Sequence, residues 1–331
     1  MNTRAVVFDR VGGPEVLRIE EIPMPVPGPG EVLVEMRAIG INRADSAFRA
    51  GKYLVQPSGA SRLGLEGAGV VLELGAGADR FAPGERVCVL PAFIQGGRYA
   101  TYATHAIFPE AALIAAPDQL TDVESAALWV SFLTSWGAMV ELGRLSRGQF
   151  VLISAAASAV GLAALQVANR VGAVPIATTR TRAKRILLEN GGAAHVILSE
   201  ESDVGAEIRR ITEGSGLSVA LDAIAGPFTE ALVPCMAPEG VIFVYGGLSD
   251  QPIMFDRRPI IAKGISMAGF TVAQILRHMD RLDRGVSFIL EGLADGSLSP
   301  SVSRTFAFED VAEAHRIMDA NTNSGKLVLA L

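Results

Sequence analysis

The sequence has few cysteines and no strong excess of either charge. Cys88 and Cys235 are the only cysteines in 331 residues, which excludes a disulfide framework and a structural zinc site with several cysteine ligands. We expect both to be small buried residues. The net charge of −6 provides no basic face for a nucleic acid. The first residues, MNTRAVVFDR, lack the apolar run of a secretory signal, so we expect a cytoplasmic protein.

Several catalytic and membrane motifs are also missing. The sequence has no Gly-x-Ser-x-Gly elbow, and none of its four tyrosines is followed by lysine four positions later, which argues against a short-chain dehydrogenase. Its four histidines are scattered and adjoin no acid or nucleophile pattern. Residues 150–168 carry no charge, but they contain several polar residues and change period midway. We therefore predict a buried strand and a buried helix there, and no membrane span.

The pattern of elements predicts an α/β protein with two domains. The first third is rich in short β-strands separated by turns such as PMPVPGPG. A capping box at Thr121 and Glu124 predicts a long helix that continues to Gly143. Strands and helices then alternate, which predicts a Rossmann-type, doubly wound parallel sheet. We place this dinucleotide-binding domain at residues 124–263, and a β-rich catalytic domain at residues 1–123 and 264–331.

The strand–turn–helix at residues 150–170 predicts a pyrophosphate-binding loop. Two positions of the G-x-G-x-x-G pattern hold other small residues, Ala156 and Ser158, and the third is Gly161. Ala159 and Val160 lie at the predicted helix start, where backbone N–H groups bind anions. The match is weak by itself, but it follows an apolar strand and opens a helix. We therefore interpret the loop as a nicotinamide-cofactor site.

The next strand indicates which cofactor binds. An NAD site places a carboxylate about 20 residues beyond the loop, whereas this region reads IATTRTRAKR and has no acidic residue before Glu189. Thr179 offers a hydroxyl, and a cluster of cations suits a 2′-phosphate: Arg180, Arg182 and Lys184. We predict NADPH rather than NADH.

The whole chain resembles the medium-chain dehydrogenase/reductase superfamily, most closely its zinc-independent quinone oxidoreductase (zeta-crystallin-like) branch. The resemblance is carried by several motifs in order: PGPGEVLVEMRAIGINRADSAFRAGKY (27–53), LGLEGAGVV (63–71), FAPGERV (81–87), VLISAAASAVGLAALQVA (151–168), EGVIFVYGGLS (239–249) and GKLVLAL (325–331). It implies that the β-rich domain is GroES-like. It also implies a homodimer formed through edge strands, for which Val241–Tyr245 and Ile265–Ala268 are the candidates.

The resemblance also implies that there is no catalytic metal. Zinc alcohol dehydrogenases of the superfamily use a cysteine, a histidine and a second cysteine or acid. Here Arg43 or Ala44 stands at the first position and Leu65 at the second, which leaves Glu66 as the one possible ligand. A catalytic zinc needs three protein ligands, so we predict no metal site.

The catalytic candidates follow from the resemblance as well. Asn42, Asp45 and Tyr53 match positions that line the active site of the family. The alternatives are that Asn42 and Asp45 are cap and turn residues, and that Tyr53 only packs in its loop. Further predicted cofactor contacts are Thr134, Tyr245, Gly246, Gly247, Leu248, Phe270 and Lys326. The predicted substrate wall comprises Leu65, Trp129 and Phe270, with Trp129 equally suited to the core.

Together these features predict an NADPH-dependent reductase of a quinone or an α,β-unsaturated carbonyl (enone). Hydride addition to a conjugated acceptor spreads charge onto an oxygen that hydrogen-bond donors stabilise, so no Lewis acid is required. Two alternatives stay open: an enoyl-thioester reductase, and a non-enzymatic NADPH-binding structural or RNA-binding protein. The net negative charge of the chain disfavours RNA binding. We expect a small-molecule substrate and neither a nucleic-acid nor a membrane partner.

Overall fold

A computed structural model describes residues 2–91 and 97–331. The strands are β1 Asn2–Phe8, β2 Arg18–Pro23, β3 Glu31–Ile41, β4 Ser61–Arg62, β5 Glu66–Leu74, β6 Arg86–Val89, β7 His105–Pro109, β8 Leu113–Ala115, β9 Phe150–Ile153, β10 Val174–Thr179, β11 His195–Leu198, β12 Leu217–Asp222, β13 Met236–Val244, β14 Ser266–Gly269, β15 Val302–Ala307 and β16 Lys326–Ala330. The helices are α1 Arg43–Arg49, α2 Asp122–Ser125, α3 Trp129–Trp136, α4 Ala159–Arg170, α5 Arg185–Asn190, α6 Val204–Ile211, α7 Pro227–Leu232, α8 Arg257–Lys263, α9 Ala273–Leu276, α10 Met279–Ala294 and α11 Val311–Asp319.

The chain forms two compact units, and the first is built from both ends of the sequence. It comprises residues 1–130 and 300–331. A seven-stranded sheet runs in the order β15-β16-β3-β5-β6-β8, with β7 also paired to β3, and a smaller sheet runs β2-β1-β4. The returning strand β16 pairs antiparallel with the end of β3, so the second piece of chain completes the main sheet. Its core is apolar and rich in aromatic rings, including Phe8, Phe48 and Phe108.

The second unit, residues 131–299, contains one parallel sheet. Its strand order is β11-β10-β9-β12-β13-β14, which is the 3-2-1-4-5-6 order of a dinucleotide-binding fold. The strands are short apolar runs buried on both faces, as parallel strands between helices must be. The predicted combination of a Rossmann-type sheet with a β-rich unit is therefore confirmed.

The second boundary between the units differs from the expected one. We placed residues 264–331 in the catalytic domain, but residues 264–299 belong to the second unit. The reason is that β14 pairs in parallel with β13 and extends the Rossmann sheet. Helix α10 also lies close to α3, because a Cβ on Gly285 would meet the Trp136 ring at 2.9 Å. The same pairing places β13 inside the sheet, so Val241–Tyr245 cannot be an edge strand; β14 is the edge.

The predicted long helix from Thr121 to Gly143 is interrupted. Its capping box forms as expected, with the N–H of Glu124 bonded to Thr121 Oγ1 at 3.3 Å. The helix nevertheless ends at Ser125, and α3 begins at Trp129. The interruption has a tertiary cause, because the N–H of Val130 donates to a carboxylate oxygen of Glu66 at 2.9 Å. The N–H of Val130 thus bonds to the buried carboxylate of Glu66 and not to a backbone carbonyl one helical turn earlier.

Candidate functional site

The loop that joins β9 to α4 (residues 154–158, hereafter the α4 loop) holds its backbone in a tight turn. Ala155 has a φ of +46°, in the left-handed region that non-glycine residues rarely adopt. The N–H of Ala156 donates to the carbonyl of Thr178 at 3.1 Å. The loop is therefore fixed beside the carboxyl end of β10, where dinucleotides bind in this fold class.

The start of α4 has the features of an anion site. Ser158 is the N-cap, and its hydroxyl accepts from the N–H of Gly161 at 3.1 Å. A Cβ on Gly161 would lie 2.5 Å from the carbonyl oxygen of Ala156, so only glycine allows the helix this close to the loop. The first-turn N–H groups, those of Ala159 and Val160, have no partner within the helix and are suited to a phosphate.

The turn after β13, which holds the predicted cofactor contacts from Tyr245 to Leu248, lies against the α4 loop. The Tyr245 hydroxyl is hydrogen-bonded to the Ser158 side chain, and burial raises the pKa of Tyr245. A Cβ on Gly246 would meet the carbonyl oxygen of Ala223 at 2.8 Å, so this turn passes close to the end of β12. Gly247 has open space around it, and the side chain of Leu248 is 45% exposed.

A buried carboxylate that sequence reasoning missed organises the same edge of the sheet. Asp222, the last residue of β12, accepts from the Ser154 hydroxyl at 2.9 Å and from the Thr229 hydroxyl at 2.5 Å. It also accepts from the N–H of Ile224 at 2.8 Å. Asp222 therefore fixes the first residue of the α4 loop to the loop after β12. An aspartate closing an apolar strand was the available signal.

The cations predicted to hold a 2′-phosphate follow β10. Thr179 ends the strand and is buried, and Arg180 is exposed. Arg182 is paired with Glu201 at 2.7 Å. The pKa of Lys184 is lowered by partial burial and by the positive charge of Arg180. Two cations that repel each other provide a favourable place for an anion.

Two further predicted residues of the second unit are buried. Thr134 lies in α3 and is 6% exposed. Phe270 directly follows β14, is 2% exposed, and its ring centroid lies 6.1 Å from that of Phe243 in a T-shaped arrangement. Its ring is thus engaged in packing, which favours a core role over the predicted substrate wall.

The first unit contains a buried ion pair at its candidate site. The ammonium of Lys326, at the start of β16, is paired with Glu66, and both side chains are at most 2% exposed. It also donates to Asn42 Oδ1 at 2.6 Å. The amide nitrogen of Asn42 donates to Glu66 and to the carbonyl of Gly40, each at 3.2 Å. We call Asn42, Glu66 and Lys326 the Lys326 cluster.

Asp45 links the Lys326 cluster to helix α1. Its carboxylate accepts from the N–H of Asn42 at 2.8 Å, which completes a capping box at the helix start. The expected cap role of both residues is therefore present in the structure. Burial raises the pKa of Asp45 to about 7, although the hydrogen bond from Asn42 and the charge of Lys326 oppose that rise. A carboxyl group that titrates near neutrality is suited to proton transfer.

Tyr53 lies near this carboxylate and is half-buried. Burial and the charge of Asp45 both raise the pKa of Tyr53, so its hydroxyl stays protonated at neutral pH. Within residues 2–91 and 97–331 that hydroxyl has no hydrogen-bond partner, whereas the ring packs against the apolar core of the first unit. Tyr53 thus keeps a donor available for a ligand.

The other first-unit residues that the sequence analysis singled out differ in burial and in their contacts. Leu65 is half-buried just before β5. Trp129 is fully buried, so the structure favours its alternative as a core residue and not a substrate wall. Arg43, which with Ala44 was a candidate for the first zinc-ligand position, donates to the carbonyl of Met318 at 2.5 Å. Within the described ranges, no three histidine, cysteine, aspartate or glutamate side chains converge as metal ligands.

Comparison with known proteins agrees with this architecture. Residues 28–118 match the family model for the alcohol dehydrogenase GroES-like domain, and residues 159–287 match that for zinc-binding dehydrogenases. A 2-haloacrylate reductase from a Burkholderia species is 31% identical over 337 residues, covering 98% of both chains. A quinone oxidoreductase from Pseudomonas aeruginosa is 28% identical over 327 residues, covering 98% of this chain and 99% of the relative.

A solved structure has the same fold over the full length. The crystal structure of Escherichia coli quinone oxidoreductase complexed with NADPH has a TM-score of 0.91 and is 25% identical, covering 99% of this chain and 100% of the other. This chain belongs to the medium-chain dehydrogenase/reductase superfamily of oxidoreductases. None of the helices formed by residues 2–91 and 97–331 combines the length and apolarity needed to cross a bilayer.

We predict that Lys326→Met lowers the free energy of unfolding by about 3–5 kcal/mol, because it leaves the charge of Glu66 buried without its partner. Replacing both charges, in Glu66→Gln/Lys326→Met, should recover most of that loss, since glutamine still offers an acceptor to the N–H of Val130. Urea denaturation of the two variants measures the difference. A double variant as unstable as the single one would show that the loss does not come from an unpaired charge on Glu66.

Proposed function

We propose that this chain reduces a quinone or an α,β-unsaturated carbonyl with NADPH and without a catalytic metal. The observation that carries the proposal is the α4 loop, with its capped helix start beside the Arg180–Lys184 cation pair. Relatives named quinone oxidoreductase and 2-haloacrylate reductase support the substrate class. A quinone and a haloacrylate share an acceptor carbon conjugated to a carbonyl group.

The residues of the second unit fit a dinucleotide phosphate. The first-turn N–H groups of α4 would receive the pyrophosphate, because Gly161 lets the helix approach the loop closely. Arg180 and Lys184 would hold the 2′-phosphate, whose charge would relieve their mutual repulsion. Arg182, the third predicted cation, is paired with Glu201 at 2.7 Å. When bound, NADPH supplies the hydride.

The first unit supports chemistry without a metal. Of the positions that hold zinc in related alcohol dehydrogenases, Glu66 offers the one carboxylate, and its charge is already neutralised by the ammonium of Lys326. Arg43 carries a positive charge and is bonded to the end of α11. A zinc ion would have to displace an ammonium and approach a guanidinium. Lys326, predicted as a cofactor contact, is better suited to a positioning role because its ammonium is buried.

Within the first unit, Tyr53 is the best donor to a substrate oxygen. Its protonated hydroxyl can hydrogen-bond to a carbonyl oxygen and stabilise the negative charge that develops there. Asn42 is less suited to direct contact, because both amide hydrogens and its oxygen are engaged within the Lys326 cluster and with Gly40. We therefore propose Tyr53 as the donor, and Asn42 and Asp45 as the groups that position the surrounding backbone.

Two further expectations remain proposals. A homodimer would use the outer edge of β14, which has no pairing strand among the described residues. A cytoplasmic location is the other. Neither affects the chemistry proposed above.

We predict that Arg180→Ala and Lys184→Ala each weaken NADPH binding by about 10- to 100-fold, as expected for the loss of a charged hydrogen bond to phosphate. The affinity for NADH, which lacks the 2′-phosphate, should stay nearly unchanged. Fluorescence titration of both cofactors measures the dissociation constants.

The matched control for these variants is Arg185→Ala. Arg185 lies just beyond the cation pair, but its guanidinium is paired with Glu189 at 2.9 Å. It should leave both affinities nearly as in the wild type. If Arg180→Ala and Lys184→Ala weakened NADH as much as NADPH, the 2′-phosphate assignment would be wrong.

We predict that Tyr53→Phe lowers kcat for a small enone by about 100-fold, in the range of a lost general acid, with little change in NADPH affinity. Tyr99→Phe is the control, because the Tyr99 hydroxyl donates to Glu31 elsewhere in the first unit. Steady-state kinetics with saturating NADPH provides the comparison. An unchanged kcat in Tyr53→Phe would remove this residue from the proposed reaction.

A further inference from the structure

A row of buried polar side chains connects α11 to α1 inside the first unit. Arg49 Nη1 lies 2.8 Å from His315 Nδ1, and His315 Nε2 lies 3.3 Å from the Tyr102 hydroxyl. That hydroxyl lies 3.5 Å from Asp45 Oδ2. All four side chains belong to residues at most 2% exposed, so their polar groups bond to protein groups and not to bulk water.

The guanidinium of Arg49 fixes the direction of every hydrogen bond in this row. Arginine only donates, so His315 Nδ1 must be an unprotonated acceptor. A neutral imidazole then carries its proton on Nε2 and donates it to the Tyr102 oxygen. The Tyr102 hydroxyl has a single hydrogen, which is left to point at Asp45.

The arrangement cannot easily reverse. Arg49 is held on both sides, by the carbonyl of Gly12 at 3.1 Å and by Asp319 at 2.5 Å. Burial and the charge of Arg49 lower the pKa of His315 to about 3, with Arg43 adding to this effect and Asp319 opposing it. His315 is therefore neutral at physiological pH and offers no second proton.

We propose that Arg49, His315 and Tyr102 are positioning residues that form a one-way chain of hydrogen-bond donors ending on the carboxylate of Asp45. The chain is not a proton relay, because arginine has no acceptor and cannot pass a proton inward. If Asp45 were protonated, its Oδ2 would still accept from the Tyr102 hydroxyl but as a neutral and therefore weaker acceptor. The chain thereby favours the charged form of Asp45.

The charge of Asp45 matters to the candidate site in two ways. It accepts the N–H of Asn42 and so fixes the residue that contacts Lys326 and Glu66. It also lies close enough to Tyr53 to raise the pKa of that hydroxyl. The structural part of the proposal stands alone, whereas its effect on turnover rests on the proposed function.

The first test uses the wild-type protein and needs no activity. Long-range proton–nitrogen NMR of histidine-labelled protein should give His315 a bare Nδ1 and a protonated Nε2, unchanged between about pH 5 and about pH 8, where free histidine titrates. His315→Gln assigns the signal among the four histidines. A protonated Nδ1, or an imidazole of His315 that titrates in this range, would overturn the proposal.

The second test measures the end of the chain. In Tyr102→Phe, the carboxyl carbon signal of Asp45 should titrate about one pH unit higher than in the wild type, since the carboxylate loses a hydrogen-bond donor. Tyr99→Phe, which removes a hydroxyl bonded to Glu31, should leave the titration of Asp45 in place. An unchanged or lower pKa of Asp45 in Tyr102→Phe contradicts the proposal.

Kinetics then separates this proposal from the proposed function. If both are right, the pH dependence of kcat with a quinone shifts in Tyr102→Phe together with the titration of Asp45. If the carboxyl titration shifts and the kinetic profile does not, the donor chain stands and the assignment of the site to catalysis fails.

Discussion

One buried charge must be neutralised for the first unit to hold together. Lys326 lies on β16, in the piece of chain that follows the whole second unit, and its ammonium is 2% exposed. An unpaired charge in such a place costs several kcal/mol. Its partners, Glu66 and Asn42, come from the start of β5 and from the residue before α1. Through the ion pair with Glu66 and the hydrogen bond to Asn42, Lys326 therefore links three distant segments of the sequence.

The effects of this cluster reach the elements around it. The second carboxylate oxygen of Glu66 accepts a hydrogen bond from the N–H of Val130, the second residue of α3, just after the interruption between α2 and α3. Asn42 joins the cluster to Asp45, and the donor chain that we propose ends on that carboxylate. In this unit, polar groups that look like candidates for direct catalysis are mostly engaged with one another. The hydroxyl of Tyr53, which we propose as the donor to a substrate, has no such partner within residues 2–91 and 97–331.

The local patterns of the sequence were sufficient to predict the fold. Short apolar strands alternating with helices predicted the parallel sheet, and Ala156 and Ser158, together with Gly161 in the first turn of α4, predicted the tight connection from β9 to α4. The capping box at Thr121 formed as predicted. These features are local, because each depends on residues that lie close together in the sequence.

Features that depend on distant contacts could not be predicted in the same way. The partners Glu66 and Lys326 are 260 positions apart, and the interruption between α2 and α3 follows from the same carboxylate. Trp129 and Phe270 are large aromatic residues of the kind that line apolar pockets, but the surrounding side chains bury both of them. The sequence indicated a strand at Ile265–Ala268 but not its pairing with β13, and this pairing places residues 264–299 with the second unit. Asp222 and His315 act through partners that only the fold brings near.

The most direct test of reduction with NADPH and without a metal is a steady-state assay of NADPH oxidation by the purified protein after treatment with a chelator. The acceptors compared are a quinone, a small enone, a 2-haloacrylate, an enoyl-CoA and a simple ketone. We expect turnover with the quinone or the enone that the chelator leaves unchanged, little turnover with the ketone, and slower turnover with NADH. Activity that is lost on chelation and restored by zinc would contradict it.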